Sequence, residues 1–301
     1  MERQTKRTSL WWFLYRCRYY LFLLPALLFL GVFVYYPIGY SLLRSFQRWD
    51  LLHPKPRWAG WRNYQHLMQD PVFWTVVKNS LIYVTCTIFP TMALALFFAI
   101  LIDERARGRA YYIYSLFYPT LIPMAAAAML WVFIYSPNLG LMNIVLSRFG
   151  LPKLGWLGSA DTSLWALIIM SIWKYLGFYT LIYLSGLQNL DKSLYESAFI
   201  DGAGWWRRHL SITVPLVAPT SLFIFIVGVI LSFRVFAPVH LMTEGGPGNS
   251  SNVIIYYIYE NGFKFFQLGI AFALTVLLVI SLLLLVLLIF GFLDKRVTYT
   301  G

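Results

Sequence analysis

Six long apolar runs constrain this sequence more than any other feature. They lie at about residues 19–40, 73–102, 111–135, 163–187, 215–241 and 266–293. These runs reach the roughly 20 residues that a helix needs to cross a bilayer. Charged residues make up 12% of the chain, whereas a soluble domain carries about 25%. The sequence therefore predicts an all-α, polytopic membrane protein with six transmembrane helices and no large soluble domain.

The start of the chain allows two interpretations, a cleaved signal peptide or an uncleaved first span. Basic residues precede the first apolar run, which suits both. The run is too long for a signal peptide, and no small-x-small cleavage site follows it. We therefore predict a cytoplasmic tail over residues 1–18 and one transmembrane domain over residues 19–301. Six spans place both termini on the cytoplasmic face, and a modest excess of Lys and Arg on that face agrees.

Composition and motifs argue against several other classes of protein. The net charge of +12 fits basic residues that flank membrane spans, and the sequence has no nucleic-acid-binding pattern. It has no G-x-x-x-x-G-K-[ST] loop, so it is not expected to hydrolyse ATP by that route. The four His are scattered, and Cys17 precedes the first span while Cys86 lies in the second. We therefore predict a non-catalytic chain with no nucleic-acid partner, no disulfide and no metal site.

The segments between the runs predict where the chain meets the membrane surface. Several aromatic residues in segment 41–72 are typical of an outer interfacial belt: Trp49, Trp58, Trp61 and Tyr64. Pro119 and Pro123 should kink the third span. Residues 136–162 indicate an outer loop with an interfacial helix near 141–149.

A polar stretch, residues 194–219, lies between the fourth and fifth runs. Its sequence is LYESAFIDGAGWWRRHLSITVPLVAP. Ser193 and Glu196 have the spacing of a capping box, which predicts that Ser193 caps the first turn of a helix. Gly202 permits a sharp stop, and Pro215 marks the entry to the next apolar run. The pattern predicts a helix-turn-helix hairpin that lies in the plane of a membrane face.

This stretch resembles the EAA loop of permease subunits of bacterial ATP-binding-cassette (ABC) importers. The matching elements are Glu196-Ser197-Ala198, Asp201-Gly202-Ala203 and Ile212-Thr213-Val214-Pro215. Ser197 replaces the family's middle Ala, and His209 stands where the family more often has an aromatic residue such as Phe. We expect His209 to alter packing in the socket of the ATPase. A second match is the T-x-G-G-P pattern at residues 243–247, expected in a turn-rich outer loop.

The resemblance covers nearly the whole chain and implies the type I ABC importer permease fold, of the carbohydrate class that includes maltose-type and glycerol-phosphate-type permeases. It implies a bacterial plasma-membrane assembly with a second permease subunit in a heterodimer, two cytoplasmic ATPase subunits and an extracytoplasmic solute-binding protein. ATP and Mg²⁺ would be bound by the ATPase subunits, so no cofactor is expected in this chain. Loop 188–212 would couple to the ATPase through six residues: Glu196, Ser197, Ala198, Asp201, Gly202 and Ala203.

Polar residues inside the fourth and fifth runs are candidates for a substrate path. Ser171, Lys174 and Tyr175 share one helical face, and a charge at the centre of a span should face a protein interior or water. The alternative for Lys174 is a polar contact between helices. Ser232 and Arg234 are the candidates in the fifth run, although Arg234 also suits snorkelling to the outer interface.

The leading substrate class is a sugar or short oligosaccharide, because hydroxyl, amine and aromatic groups on one face suit a hydroxylated ligand. A glycerol phosphate or another anionic polyol is the alternative within the class, favoured if Lys174 and Arg234 both face the path. An ATP-independent secondary transporter is an alternative of another class, but the sequence shows no internal repeat, and the EAA-like loop would go unexplained. A membrane-embedded enzyme lacks a paired acid–base or metal constellation.

Overall fold

The computed structural model describes residues 22–104 and 107–293. The predicted tail, Cys17 and the chain after residue 293 lie outside the described residues. The helices are α1 (Phe22–Ser45), α2 (Arg62–Gln69), α3 (Pro71–Asp103), α4 (Arg109–Leu121), α5 (Met124–Ile134), α6 (Leu141–Arg148), α7 (Ser163–Leu187), α8 (Lys192–Ile200), α9 (Trp205–Leu216), α10 (Ala218–Phe233), α11 (Ile254–Tyr259) and α12 (Leu268–Leu293). Strands β1 (Gln47–Asp50) and β2 (His53–Trp58) form an antiparallel hairpin.

The spans divide into continuous and broken ones. Among the described residues α1, α3, α7 and α12 are each long and apolar enough to cross a membrane. The pair α4 and α5 is bent by 99°, and the pair α9 and α10 by 67°. Counting each bent pair as one span gives the six predicted crossings. Helix α7 has the predicted bounds, and α3 and α12 begin and end within two residues of theirs.

The break between α4 and α5 is sharper than the predicted kink. Pro123 has no N–H, so it cannot donate to the carbonyl of Pro119 as a helix would require. Ile122, which precedes this proline, adopts an extended backbone with ψ 130°. The chain therefore turns at this point, and the carbonyls at the end of α4 need other donors.

The fifth span begins and ends earlier than predicted, because residues 215–241 do not form one helix. Pro219 cannot donate to the carbonyl of Pro215, and the chain bends between them at Val217. At the other end α10 stops at Phe233. Continuing the helix would require the carbonyl of Arg234 to accept from the N–H of residue 238, which is a proline and has none. A separate π-helical turn follows at Val239–Thr243.

The larger of two compact units is built on α3 and α7, which pack along each other and against α4 and α10. Its core contains the buried rings of Tyr83, Tyr135 and Tyr179. Helices α4 and α7 approach closely at Gly177, where a Cβ would lie 2.0 Å from the carbonyl oxygen of Leu116. A larger residue would therefore force the two helices apart at this point.

The smaller unit contains α1, the hairpin, most of α2 and the first part of α12. Asn63 donates from Nδ2 to the carbonyl oxygens of Ser45, at 2.7 Å, and Gln47, at 3.0 Å. The ring of Phe46 packs on Trp58 and Trp61, whose side chains are otherwise exposed. The aromatic residues expected at the membrane interface thus cluster, but the strands were not predicted.

The residues that follow T-x-G-G-P are less exposed than expected of an outer loop. Ser251 and Asn252, which follow it, are fully buried. Asn79 of α3 donates from Nδ2 to the carbonyl oxygens of Asn249, at 2.8 Å, and Asn252, at 3.1 Å. The segment is therefore packed onto the first turns of α3, because its turns direct carbonyls at a buried amide.

Candidate functional site

Helix α8 begins differently from the prediction. The Oδ1 atom of Asp191 accepts from the backbone N–H of Ser193 at 2.9 Å, which makes Asp191 the N-cap. This hydrogen bond holds the pKa of the Asp191 carboxyl below its usual range. The predicted capping box of Ser193 and Glu196 is therefore wrong, because an acidic cap two residues earlier begins the helix and leaves Glu196 exposed on its surface.

The end of α8 agrees with the prediction that Gly202 stops it. Gly202 has φ +75°, a conformation that favours glycine. Its N–H bonds to the carbonyl of Phe199 at 3.0 Å, and the N–H of Ala203 bonds to the carbonyl of Ala198 at 2.9 Å. These two bonds form a Schellman motif, with Asp201 as the C-cap. The chain reverses sharply and leads into α9.

Helix α8 presents an exposed surface with both apolar and acidic groups. No residue of this described helix is buried. Phe199 is 71% exposed and Ile200 83%, and Glu196, Ser197 and Asp201 are exposed as well. Apolar side chains exposed to this degree beside carboxylates are typical of a protein contact surface. This surface, here called the docking face, contains four of the six predicted coupling residues. The other two, Ala198 and Ala203, are partly buried.

A polar network lies at the base of the loop. Glu104, the residue after α3, accepts at 3.0 Å from Nε1 of Trp205 and pairs at 3.0 Å with Nε2 of His209. Nδ1 of His209 lies 2.8 Å from Oγ1 of Thr213, which lies 2.8 Å from the hydroxyl of Tyr195. Burial raises the pKa of that phenol.

The structure corrects the expectation for His209. The residue is 7% exposed, and both ring nitrogens have partners within this chain. It therefore does not lie on the docking face, and its packing is internal. Glu104 is a further residue of this network, and the sequence analysis did not single it out. The one available signal was a carboxylate directly after a long apolar run.

A cavity of about 420 Å³ lies beside this network, between the ends of α3 and α7 and the loop. Its lining carries both signs of charge and includes Glu196, Lys192 and Arg208. The recess therefore meets the docking face at Glu196.

The candidates in the fourth span are covered by this chain. Ser171 is fully buried, and its Oγ lies 2.6 Å from the hydroxyl of Tyr83. Lys174 donates from Nζ to the carbonyl oxygens of Pro119, Thr120 and Ile122. In this structure Lys174 thus satisfies the carbonyls at the end of α4, which is the interhelical alternative to lining a path.

The remaining candidates differ in exposure. Tyr175 is partly buried, and its ring stacks on Tyr179 with centroids 6.1 Å apart. Ser232 is buried, whereas Arg234 is exposed where α10 ends. The structure therefore does not bring the five candidates into one exposed group. Of the two cations among them, Lys174 is buried and Arg234 is exposed.

Comparisons with known proteins agree over nearly the full length. Residues 5–299 match the family described as binding-protein-dependent transport system inner membrane component. A probable ABC transporter permease protein of Pyrococcus horikoshii is 32% identical over 87% of this chain and 91% of its own. Another, YurN of Bacillus subtilis, is 35% identical over 88% and 92%. The sn-glycerol-3-phosphate transport system permease protein UgpA of Brucella abortus is 31% identical over 93% and 96%.

Solved structures give the same result. A chain in a crystal structure of a bacterial ABC transporter involved in the import of the acidic polysaccharide alginate has a TM-score of 0.82 at 26% identity, covering 97% of this chain and 100% of that one. A chain of a bacterial alginate ABC transporter, in complex with alginate pentasaccharide-bound periplasmic protein, has a TM-score of 0.80 at 26% identity over the full length of both.

Proposed function

The chain belongs to the family of binding-protein-dependent transport system inner membrane components, and we propose that it carries a sugar or short oligosaccharide across the plasma membrane, driven by ATPase subunits that bind its docking face. The observation that carries this proposal is α8, a helix with no buried residue that exposes Phe199 and Ile200 beside the Glu196 carboxylate. The ATPase subunits bind ATP and Mg²⁺, and this chain performs no chemistry of its own.

The docking face provides both affinity and orientation. Burying one large apolar side chain contributes about 1.5–3 kcal/mol, so Phe199 and Ile200 together contribute several kcal/mol when a partner covers them. Glu196 supplies a carboxylate that a basic residue of the partner can pair with. The Gly202 stop holds α8 as a separate short helix, so that the partner receives a rigid element.

The transport mechanism is alternating access. Closure of the ATPase subunits on ATP moves α8, and the spans attached to it rock between outward-open and inward-open arrangements. The energy reaches the spans only if α8 binds differently to the closed and open ATPase states, because equal binding shifts no equilibrium. A second permease subunit completes the path, and a solute-binding protein delivers the solute from outside. Both termini then lie in the cytoplasm, on the side of the docking face.

An anionic polyol is the second candidate substrate. Arg234 is exposed where α10 ends, and its guanidinium can pair with an anionic group of a solute. The similar transporters named above include one for sn-glycerol-3-phosphate and one for alginate. Substituting Arg234→Gln separates the two substrates. Loss of stimulation by an anionic solute with retained stimulation by a neutral oligosaccharide identifies Arg234 as the anion contact.

The proposal is tested by purifying the tagged chain in mild detergent with its associated proteins. We expect an ATPase and a second permease to co-purify, and solute-loaded binding protein to stimulate hydrolysis. Glu196→Arg should abolish ATPase association and uptake, since it reverses the charge on the docking face. Asp161→Arg, an exposed carboxylate outside the loop, is the matched control. Normal uptake with Glu196→Arg, or solute movement in vesicles without ATP, refutes the proposal.

A further inference from the structure

The docking face transmits movement only if the loop behind it is firmly attached to a span. Within the loop, α8 itself offers no such attachment through apolar packing, because none of its described residues is buried. The glycines at 202 and 204 also give the chain between α8 and α9 freedom to bend. The polar network at the base of the loop is therefore the place to look for a rigid connection.

Glu104 is the point at which this network reaches a membrane span. It directly follows α3, and its two carboxylate oxygens each lie 3.0 Å from Nε1 of Trp205. One of these oxygens also lies 3.0 Å from Nε2 of His209. The rings of Trp205 and His209 pack on each other with centroids 4.5 Å apart. A single carboxylate thus holds two residues of α9 that lie on one helical face.

The hydrogen bonds continue in one direction from Glu104 to α8. An ionised carboxylate only accepts, so Nε2 of His209 carries the proton facing Glu104. In neutral His209, Nδ1 then accepts from the hydroxyl of Thr213, and Thr213 accepts from the hydroxyl of Tyr195 in α8. Each internal group has a partner, and Thr213 is fully buried. Glu104 itself is exposed, whereas His209 and Thr213 are buried, and satisfied buried hydrogen bonds such as theirs hold side chains rigidly.

We propose that Glu104, His209, Thr213 and Tyr195, with Trp205, form a clamp that makes α8, α9 and the end of α3 move together when the ATPase moves the docking face. The clamp rests on the proposed function. It adds positioning residues to the docking face: Glu104 lies outside the EAA-like stretch, and His209 is buried and turned away from the docking face. Since α3 packs along α7, a displacement carried by Glu104 reaches the centre of the larger unit. Without the clamp, the loop moves while the spans stay in place.

The test is to measure transport per ATP after breaking the clamp. The variants are Glu104→Ala and His209→Ala, assembled with their partner subunits and reconstituted in vesicles. We expect the ATPase to remain bound and to hydrolyse ATP, while solute transported per ATP falls about fivefold or more, the lower end of typical coupling between sites. The double variant should lose no more than Glu104→Ala alone, because Glu104→Ala already removes the bonds of both Trp205 and His209 to the end of α3.

Two further variants separate positioning from folding. Glu104→Gln keeps an oxygen that accepts from His209 and should restore most of the transport per ATP. Trp205→Phe keeps the ring contact but removes one donor, and should give an intermediate loss. Asp103→Ala changes the adjacent carboxylate, which bonds to Arg109 instead of the loop, and should transport normally.

The outcomes distinguish the clamp from the proposed function. Wild-type transport per ATP in Glu104→Ala overturns the clamp, as does a loss that Asp103→Ala reproduces. Loss of transport only in proportion to lost ATPase association also overturns it, because the network then merely holds the loop folded. If the wild-type chain binds no ATPase at all, the proposed function fails instead.

Discussion

Replacing Lys174 with methionine tests the structural role of the amine inside the fourth span. Its Nζ donates to the carbonyl oxygens of Pro119 at 2.7 Å, of Thr120 at 3.0 Å, and of Ile122. These carbonyls lie where α4 ends, and Pro123 removes one of the donors that a continuous helix would have supplied. Within a membrane no water replaces a lost donor. Methionine matches the lysine side chain as far as Cε and removes all of its donors.

The expected magnitude follows from these contacts. Pro119 keeps a second donor, since the backbone N of Ile122 lies 3.3 Å from its carbonyl oxygen. The bonds to Thr120 and Ile122 therefore set the loss, and at about 1.5–3 kcal/mol for each hydrogen bond to a charged donor they give about 3–6 kcal/mol. Methionine buries no polar group, which recovers part of the cost. We expect the free energy of unfolding to fall by an amount in the lower half of that range.

The assay is unfolding of the purified chain by SDS in mixed micelles, with Lys153→Met, an exposed lysine, as the control. Lys174→Met should unfold at clearly lower SDS than the control. If the two variants unfold alike, the structural role is refuted. Stability equal to wild type combined with lost solute transport would instead assign Lys174 to the substrate path.

Three further predictions concern packing and caps. Gly177→Ala places a Cβ against the carbonyl of Leu116. Such overpacking should lower the free energy of unfolding by about 1–3 kcal/mol in the same SDS assay. Unchanged stability would contradict the close approach of the two helices. Asn143→Ala removes the hydrogen-bond partner of two carbonyls, one backbone N–H and Nε1 of Trp156. The free energy of unfolding should fall by about 1–3 kcal/mol for each buried group left unpaired. Tryptophan fluorescence should report the change. Asp191→Ala removes the cap of α8, so hydrogen exchange at pH 7 should accelerate in its first turn. Because the pKa of Asp191 is lowered in the folded chain, the cap stabilises α8 above the usual carboxyl pKa and is lost as the pH falls through the lowered one; equal exchange rates at pH 7 would refute the cap.

Much of the fold was predictable because membrane spans are set by local composition. The bounds of α7 follow directly from its apolar run, and the breaks in the third and fifth spans occur at prolines visible in the sequence. The hairpin was not predictable in the same way. Its strands carry charged residues, including the cross-strand pair Arg48 and Arg57, and lack the alternation of apolar and polar residues that marks a strand.

In the candidate site, too, local features were predictable and the surroundings of side chains were not. Gly202 was recognised as the stop of α8 because a positive φ is a property of one residue and its neighbours. The N-cap was placed at Ser193 instead of Asp191, since both residue types cap helices and spacing alone does not choose between them. The surroundings of His209 were misjudged, because a sequence position does not show which way a side chain points.

By itself the sequence determined the class of protein, the helical spans and the loop that carries the docking face, since hydrophobic length, proline and glycine act locally. Only the tertiary structure decided which polar groups meet. Lys174 reaches a carbonyl 55 residues away, and Glu104 reaches a ring 105 residues away. A buried polar group must find a partner wherever the packed helices place one. The approach of α3, α4 and α7 therefore settled which polar residues have internal partners and which remain exposed.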